Sequence, residues 1–349
     1  MRAHGLGKED ARNVRKQSNQ IRQCLTQAKE YFRAANAVSL ATKPLLLYYG
    51  VMSLALAQIL MKGNGDVSLD KARGEHAHHG LVLKHSCDPA TQINLAAAAQ
   101  ALKAVPHVGQ AAKRVGTFEL WHKLSRETPL VGRATYTYRS GASTTGIRLA
   151  AAGRDERMEL LPARGISLLE CFQNAPGMRQ ILPSFGIQPQ LARARIEIQE
   201  FEQDESSVFT IVLQPDSQSV LDRVCENCFF EPRLLHQVEI VELRSGYIIR
   251  DKFQTGTDAC GATYPNAFQI TDEDLFFSLN NQSLNEFGVL YAGIYILGNY
   301  ARYYPDQWMK DVEQSSDLAL AVETFIKIVE ERAALLTLSE LSQVYFVRS

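Results

Sequence analysis

The sequence carries almost no net charge and little cysteine. Its 37 lysines and arginines nearly balance 38 acidic residues, giving a formal net charge of −1, so no global field attracts nucleic acid or an acidic membrane. Six cysteines in 349 residues are too few for a disulfide framework. The opening residues MRAHGLGKED lack the apolar core of a signal peptide. We therefore expect a cytoplasmic protein in a reducing compartment.

The motifs of several common enzyme classes are absent from the sequence. It has no G-x4-G-K-[ST] phosphate loop, no G-x-G-x-x-G after a strand, no G-x-S-x-G elbow and no HExxH zinc motif. The CxxC pair Cys225 and Cys228 has no second pair nearby to complete a zinc site. The sequence therefore predicts no cofactor and leaves enzyme activity open.

A long uncharged segment, residues 44–61, lies between Lys43 and Lys62. Its length is just sufficient for a membrane-spanning helix, but Ser53 and Gln58 weaken the apolar pattern. A helix that is apolar on every side is equally typical of a large protein core. We expect a core helix and no membrane association.

The N-terminal region reads as mainly helical. Apolar residues spaced by three and four predict an amphipathic helix over 8–35, and the uncharged segment predicts a second helix over 38–61. Polar composition predicts a loop over 63–91, and alanine-rich sequence predicts a helix over 91–104. Residues 1–23 are rich in lysine and arginine, a pattern that fits an RNA-contacting or acidic-partner surface but is more typical of a solvated helix face.

The middle of the chain changes to strands. Residues 133–139 alternate with period two, and 191–199 with 207–214 predict a hairpin. A second hairpin is predicted over 238–243 and 247–253. These patterns indicate an antiparallel α+β region.

Helices then return. Ser283 and Glu286 form a capping-box pattern before the apolar run 287–297, and 317–336 is amphipathic. Nearly all-apolar helices near both ends are buried most simply against each other. We predict an α+β fold that is predominantly a helical bundle built from both termini.

The predicted bundle has a helical N-terminal part, 1–125, and a helical C-terminal part, 281–349. The antiparallel α+β region, 126–280, is inserted between them.

Two segments of the chain resemble the YaaC-like family of bacterial proteins. Residues 32–60 contain a helical segment followed by Pro, a Leu run and Tyr-Tyr-Gly, and His79-Gly80 matches a His-Gly of that family's following loop. Residues 298–318 are similar to the family's Arg-Tyr-x-Pro-x-x-Trp region, here beginning at Arg302. The resemblance supports the fold prediction and implies no settled activity.

The histidine-rich segment RGEHAHHGL, residues 73–81, admits three interpretations. Its imidazoles suit zinc, and the weak candidate ligands are His76, His78, His85 and Cys87, but the usual zinc spacings are absent. A solvated loop without chemical function is the second interpretation, because glycines and Asp-Pro mark turns nearby.

A metal-independent ribonuclease of the HEPN class is the third interpretation. Such helical domains carry an Arg followed four to six residues later by His, which Arg73 with His78 or His79 satisfies. A histidine of near-neutral pKa can transfer a proton, and an arginine can stabilise phosphate charge.

A composite site is a variant of the ribonuclease interpretation. If the terminal bundle closes, His79 and Arg302 approach each other and bind phosphate or another anion. The alternative is that Arg302 only caps its helix.

Two functions follow from these patterns. The first is a protein that acts through contacts with a protein partner or another copy of itself, as one component of a bacterial multi-gene system such as antiviral defence. The alternative is a HEPN-like ribonuclease or nucleic-acid-directed effector that uses His79, His78, Arg73 and Arg302.

Overall fold

The structure is a computed structural model that describes most of the chain. The described residues are 11–62, 69, 78–86, 94–124, 129–151, 161–203, 205–213, 220, 222, 237–243, 246–254, 267–269, 275–280 and 284–342. The chain divides into two compact units. We call them the helical unit (Met1–Ser125, Glu159–Pro189 and Phe287–Val344) and the sheet unit (Arg126–Met158, Gln190–Glu286 and Tyr345–Ser349).

Both ends of the chain supply the helices. In the described residues these are α1 (Ala11–Asn36), α2 (Lys43–Lys62), α3 (Leu95–Ala101), α4 (Thr117–Leu124), α5 (Leu168–Gln173), α6 (Glu286–Tyr303), α7 (Pro305–Glu313) and α8 (Asp317–Ser342). Helices from the two ends pack together in the helical unit. The predicted α+β fold with a bundle built from both termini is therefore confirmed.

The strands form two separate sheets. The described strands are β1 (Leu81–His85), β2 (Leu102–Pro106), β3 (Pro129–Thr137), β4 (Ser143–Ala151), β5 (Ile166–Ser167), β6 (Leu191–Phe201), β7 (Ser206–Leu213), β8 (Gln237–Leu243), β9 (Gly246–Gln254), β10 (Ala267–Gln269) and β11 (Leu275–Ser278). A small antiparallel sheet of order β1-β2-β5 lies in the helical unit. In the part of the chain that the structure describes, the other eight strands form one sheet in the sheet unit.

The predicted hairpins are both present in the sheet unit. β6 pairs antiparallel with β7, and β8 pairs antiparallel with β9. Alternation along β6 follows the sequence pattern, because Ala192 and Ala194 are buried while Arg193 and Arg195 are exposed. One pairing differs from the antiparallel expectation: β3 runs parallel to the second half of β6.

The α2 helix is the centre of the helical unit. Among the described residues it is the one helix long and apolar enough to cross a membrane, and 67% of its apolar window is buried inside the protein. It begins at Lys43 rather than at the predicted residue 38, and Pro44 fits a first helical turn, where no backbone N–H is needed. Gly50 lets α1 approach closely, since an added Cβ there would lie 2.9 Å from the Phe32 ring.

A buried amide in α2 joins three helices. The Gln58 side chain accepts a hydrogen bond from the Trp121 indole of α4 and donates one to the Thr337 hydroxyl of α8, at 2.5 and 2.8 Å. All three residues are almost completely buried. A polar side chain in an apolar core is tolerated when its hydrogen bonds are made, and here those bonds fix the position of α2 against α4 and α8.

The secondary structure that follows α2 differs from the loop and the helix predicted for that part of the sequence. Residues 81–85 form β1 instead of loop, and the predicted helix over 91–104 is shorter, because α3 ends at Ala101 and the chain continues as β2. Asn94 caps α3 by accepting a bond from the Ala97 N–H. Pairing of β1 with β2 satisfies both backbones and overrides the helix propensity of alanine.

The other helix predictions agree with the structure. Of the predicted helix 8–35, residues 11–35 lie in α1 and 8–10 lie outside the described residues. The apolar run 287–297 lies buried inside α6, and 317–336 lies inside α8. Ser283 of the proposed capping box lies outside the described residues.

Replacing Gln58 with leucine tests the buried amide. The variant keeps the volume but leaves the Trp121 indole N–H without its acceptor, so we expect the free energy of unfolding to fall by about 1–3 kcal/mol. The measurement is the midpoint of urea denaturation. Gln27→Leu, on the exposed face of α1, is the matched control and should change stability by less than about 0.5 kcal/mol. An unchanged midpoint for Gln58→Leu would contradict the assigned role.

Candidate functional site

His79 is positioned by a close crossing of two chain segments. Its backbone carbonyl accepts a hydrogen bond from the Phe118 N–H at 3.0 Å, and the carbonyl of His78 accepts one from the Thr117 N–H at 2.9 Å. Gly80 and Gly116 meet at this crossing with φ values of +86° and +116°. A Cβ on Gly116 would lie 2.3 Å from the Gly80 nitrogen, so both glycines are needed for the approach.

The imidazole of His79 is hydrogen-bonded to a buried tyrosine. Its Nδ1 lies 2.7 Å from the hydroxyl of Tyr48 in α2, and the same hydroxyl lies 3.7 Å from Sδ of Met52. A hydroxyl has one proton, so both contacts form together only when Nδ1–H donates to the hydroxyl and the hydroxyl donates to sulfur. We assign this tautomer from the hydrogen bonds. It leaves Nε2 of the neutral ring with a free lone pair.

Tyrosine rings support this pair from three sides. The Tyr48 ring contacts those of Tyr49, Tyr291 and Tyr295 at centroid distances of 5.4, 6.2 and 5.3 Å. The Tyr295 hydroxyl donates to the Leu81 carbonyl at 2.7 Å, which ties α6 to the strand that follows His79. Burial raises the pKa of Tyr48 well above its usual value and that of Tyr295 to about 12. Both phenols therefore stay protonated at neutral pH.

Arg302 lies near His79 and is held by aromatic side chains. It belongs to the last turn of α6 and is exposed. One guanidinium nitrogen donates to the Tyr49 hydroxyl at 3.2 Å, and the guanidinium carbon lies 5.1 Å from the centre of the Tyr303 ring. No carboxylate among the described residues pairs with it. Aromatic contacts therefore hold this cation while its charge remains available to an anion.

The electrostatics of the site keep His79 neutral. Burial lowers its pKa below the ordinary value of 6.5, and the charge of Arg302 lowers it further, followed by His78. A half-buried imidazole beside a fixed cation loses solvation of its charged form and gains repulsion. The neutral imidazole, a base, is therefore the form present at pH 7.

Two other histidines, His78 and His107, lie against each other next to His79. The ring of His78 lies 4.9 Å from that of His107, and the backbone N–H of His107 donates to the Gly80 carbonyl at 3.0 Å. His107 precedes an irregular turn, and nothing in the local sequence connects it with His78. Only the pairing of β1 with β2 brings the two together.

Of the remaining sequence candidates, only His85 belongs to the described residues. Arg73, His76 and Cys87 fall outside the described residues. His85 lies at the other end of β1, where its ring contacts Tyr304 at 5.0 Å, beside a cavity of about 280 Å³. In the described part of the chain no three His, Cys, Asp or Glu side chains are grouped as metal ligands.

The structure thus brings together His79 and Arg302, which are 223 positions apart (302 − 79). A neutral imidazole beside a guanidinium can bind an anion and accept a proton from a group attached to it. Sequence reasoning missed Tyr48, Tyr49 and Tyr295. The available signal was the Tyr-Tyr-Gly segment, whose hydroxyls are unusual inside an otherwise apolar helix.

Comparison with known proteins gives one match. The model of a family described as YaaC-like Protein matches residues 2–96 and 142–341, which is most of the chain. No curated protein and no solved structure matches it.

The pKa of His79 is a direct test of the site's electrostatics. We expect its imidazole to titrate below pH 6.5 in an NMR pH titration, with the resonance assigned by His79→Gln. In Arg302→Gln the midpoint should rise, because one source of repulsion is removed. Lys327→Gln removes an exposed charge on α8 and should leave the midpoint unchanged.

The same shift predicts a pH dependence of stability. The unfolded chain protonates this ring at a higher pH than the folded chain does. The contribution of the neutral ring to stability is therefore complete above about pH 6.5 and decreases as the pH falls through the lowered pKa. A titration midpoint of the His79 imidazole at or above pH 6.5 in the wild type would contradict the electrostatics described for the site.

Proposed function

The chain belongs to the YaaC-like family, and we propose that it binds a phosphate-bearing ligand at His79 and Arg302 and cleaves RNA there without a metal. The observation that carries this proposal is a neutral imidazole whose pKa is lowered by an exposed guanidinium nearby, which pairs with no carboxylate among the described residues. Structural arginines are usually neutralised by acidic side chains, whereas Arg302 is held by tyrosines.

The hydrogen bond between His79 and Tyr48 suits the imidazole to accept a proton at Nε2. With Nδ1–H donating to Tyr48, Nε2 can take the proton of a ribose 2′-hydroxyl. The 2′ oxygen then attacks phosphorus, the bond to the 5′ oxygen breaks, and that oxygen leaves with a proton from solvent. The products are a 2′,3′-cyclic phosphate and a 5′-hydroxyl, and His79 returns its proton to water. Arg302 stabilises the charge on the phosphoryl oxygens in the transition state.

Tyr48 acts as a positioning residue in this scheme. Its hydroxyl orients the imidazole and fixes the tautomer, as a carboxylate does for the histidine of other proton-transfer sites. The proposed reaction resembles that of HEPN ribonucleases because it uses a histidine and an arginine. The arginine proposed here is Arg302, while the motif arginine Arg73 and the neighbouring His78 remain candidates.

Cleavage of a labelled RNA by purified protein tests the proposal. We expect His79→Ala to lower the rate about 10²- to 10⁴-fold through loss of the base, and Arg302→Ala to lower it about 10²-fold or more. Tyr48→Phe should lower kcat more than it raises KM, because it acts through His79. Lys310→Ala, an exposed cation on α7, is the control and should cleave normally. Cleavage by His79→Ala at the wild-type rate, or no cleavage of any RNA by the wild type, would overturn the proposal.

A second proposal is that the chain forms a homo-oligomer through α8. Leu320 and Leu338 are 44% and 46% exposed, and their separation of 18 positions (338 − 320) places them on one face of the helix. The two leucines lie about 27 Å apart along the helix axis, and a second copy that covers this face of α8 would bury both of them. We propose further that this contact serves a cytoplasmic role in a multi-gene system such as antiviral defence.

Sedimentation equilibrium of the full chain tests the α8 contact. We expect the wild type to associate and Leu320→Glu/Leu338→Glu to dissociate, because burying two carboxylates is unfavourable. The charge-matched control is Gln23→Glu/Gln27→Glu, which adds two carboxylates at exposed positions of α1. A monomer at every concentration would falsify the homo-oligomer.

A further inference from the structure

A stripe of exposed cations runs along α1. Arg15, Arg22, Lys29 and Arg33 are all exposed. The first three are spaced by seven residues and the last by four, so they lie on one side of the helix, with the first three about 10 Å apart along its axis. We call these four residues the α1 stripe.

The α1 stripe faces away from the protein core. Cys24, Ala28 and Ala35 of α1 are buried, and Cys24 packs against Ala57 and Leu60 of α2. At 100° per residue, this buried face and the stripe lie on opposite sides of α1. The stripe is therefore the outer surface of the helical unit at α1.

Little negative charge offsets the stripe. The sequence from 11 to 29 contains no Asp or Glu, and the first acid of α1 is Glu30, which pairs with Arg33 at 3.4 Å. Both partners are largely exposed, so this pair is worth little. In a chain whose net charge is −1, such a concentration of one sign is a local feature with its own field.

Polar side chains lie among the cations. Ser18, Asn19 and Thr26 are exposed and each lies four residues from a cation of the stripe. Hydroxyl and amide groups together with Arg and Lys are the donors that contact phosphate and sugar oxygens. The exposed apolar residue nearest to it, Leu25, is 36% exposed and lies at its border.

The same composition argues against two other occupants. Arginine contributes at the centres of protein contacts together with tryptophan and tyrosine in well-packed pockets, and the α1 stripe has no aromatic member. A helix that lies in a membrane surface inserts an apolar face, but the apolar face of α1 is already buried against α2. A repeating polyanion needs only regularly spaced cations.

From these observations we propose that the α1 stripe binds the phosphodiester backbone of a nucleic acid. The C-terminal part of α1 borders the candidate site, because Tyr31 stacks on Tyr49 at 5.6 Å and Tyr49 accepts the bond from Arg302. Tyr31 lies on the face of α1 opposite to the stripe, so a strand bound along the stripe reaches Arg302 and His79 by passing round the end of α1 beyond Arg33. The inference rests on the proposed function for what happens at that end, whereas binding along α1 does not depend on cleavage.

Binding is tested with a fluorescently labelled 20-nucleotide RNA and a DNA of the same sequence, by anisotropy at several salt concentrations. The test variant is Arg15→Glu/Arg22→Glu/Lys29→Glu. The charge-matched control is Lys113→Glu/Lys310→Glu/Lys327→Glu, three exposed lysines outside α1. A second variant with glutamine at the three stripe positions guards against misfolding, which circular dichroism monitors in each protein.

We expect the wild type and the control to bind both nucleic acids, and the stripe variants to bind at least tenfold more weakly. The slope of log affinity against log salt should become shallower by about 2 in the glutamine variant, since each lost phosphate contact contributes about 0.7 for a single strand. RNA and DNA should bind with similar affinity, because both have a phosphodiester backbone.

The outcomes separate this inference from the proposed function. Binding that is lost in the stripe variants, without cleavage by any protein, supports the stripe and overturns the ribonuclease. Unchanged affinity and salt slope in folded stripe variants overturn the stripe, whether or not RNA is cleaved. Stripe-dependent binding to phosphatidylserine vesicles with no nucleic-acid binding also overturns it.

Discussion

The helical unit depends on the burial of α2, which has no polar face to turn toward water. An all-apolar helix is stable in water only when protein covers it on every side. Elements from both chain ends provide that cover, with α1 and α4 from the N-terminal part and α6 and α8 from the C-terminal part. Gln58 and the small residues Gly50 and Gly298 then fix the distances between them.

The candidate site is a consequence of the same burial. Tyr48 and Tyr49 are consecutive residues of α2, yet one reaches His79 and the other reaches Arg302. The core that covers α2 thus also places a base and a cation at its border. Desolvation of His79 and the nearby guanidinium act in the same direction on its pKa. A site of this kind needs no metal motif and leaves little trace in local sequence.

Sequence patterns predicted the regular elements well where one face is buried. The period of α1 and the two hairpins of the sheet unit are recognisable because apolar residues recur at the spacing of their own secondary structure. They failed over 81–85 and 102–104, where strand pairing at a distance outweighs local propensity. The parallel pairing of β3 with β6 was also not predictable, because it joins segments about 60 residues apart.

The sequence by itself determined the α+β class and the buried character of α2. It also identified His79 and Arg302 as two residues that approach each other if the terminal bundle closes. Tertiary structure alone decided that they lie near each other. It also decided that Tyr48 contacts His79, that Tyr49 contacts Arg302 and that His107 lies against His78. The physical reason is that periodicity records which face of an element is buried, whereas contacts between distant segments depend on how several buried faces are satisfied together.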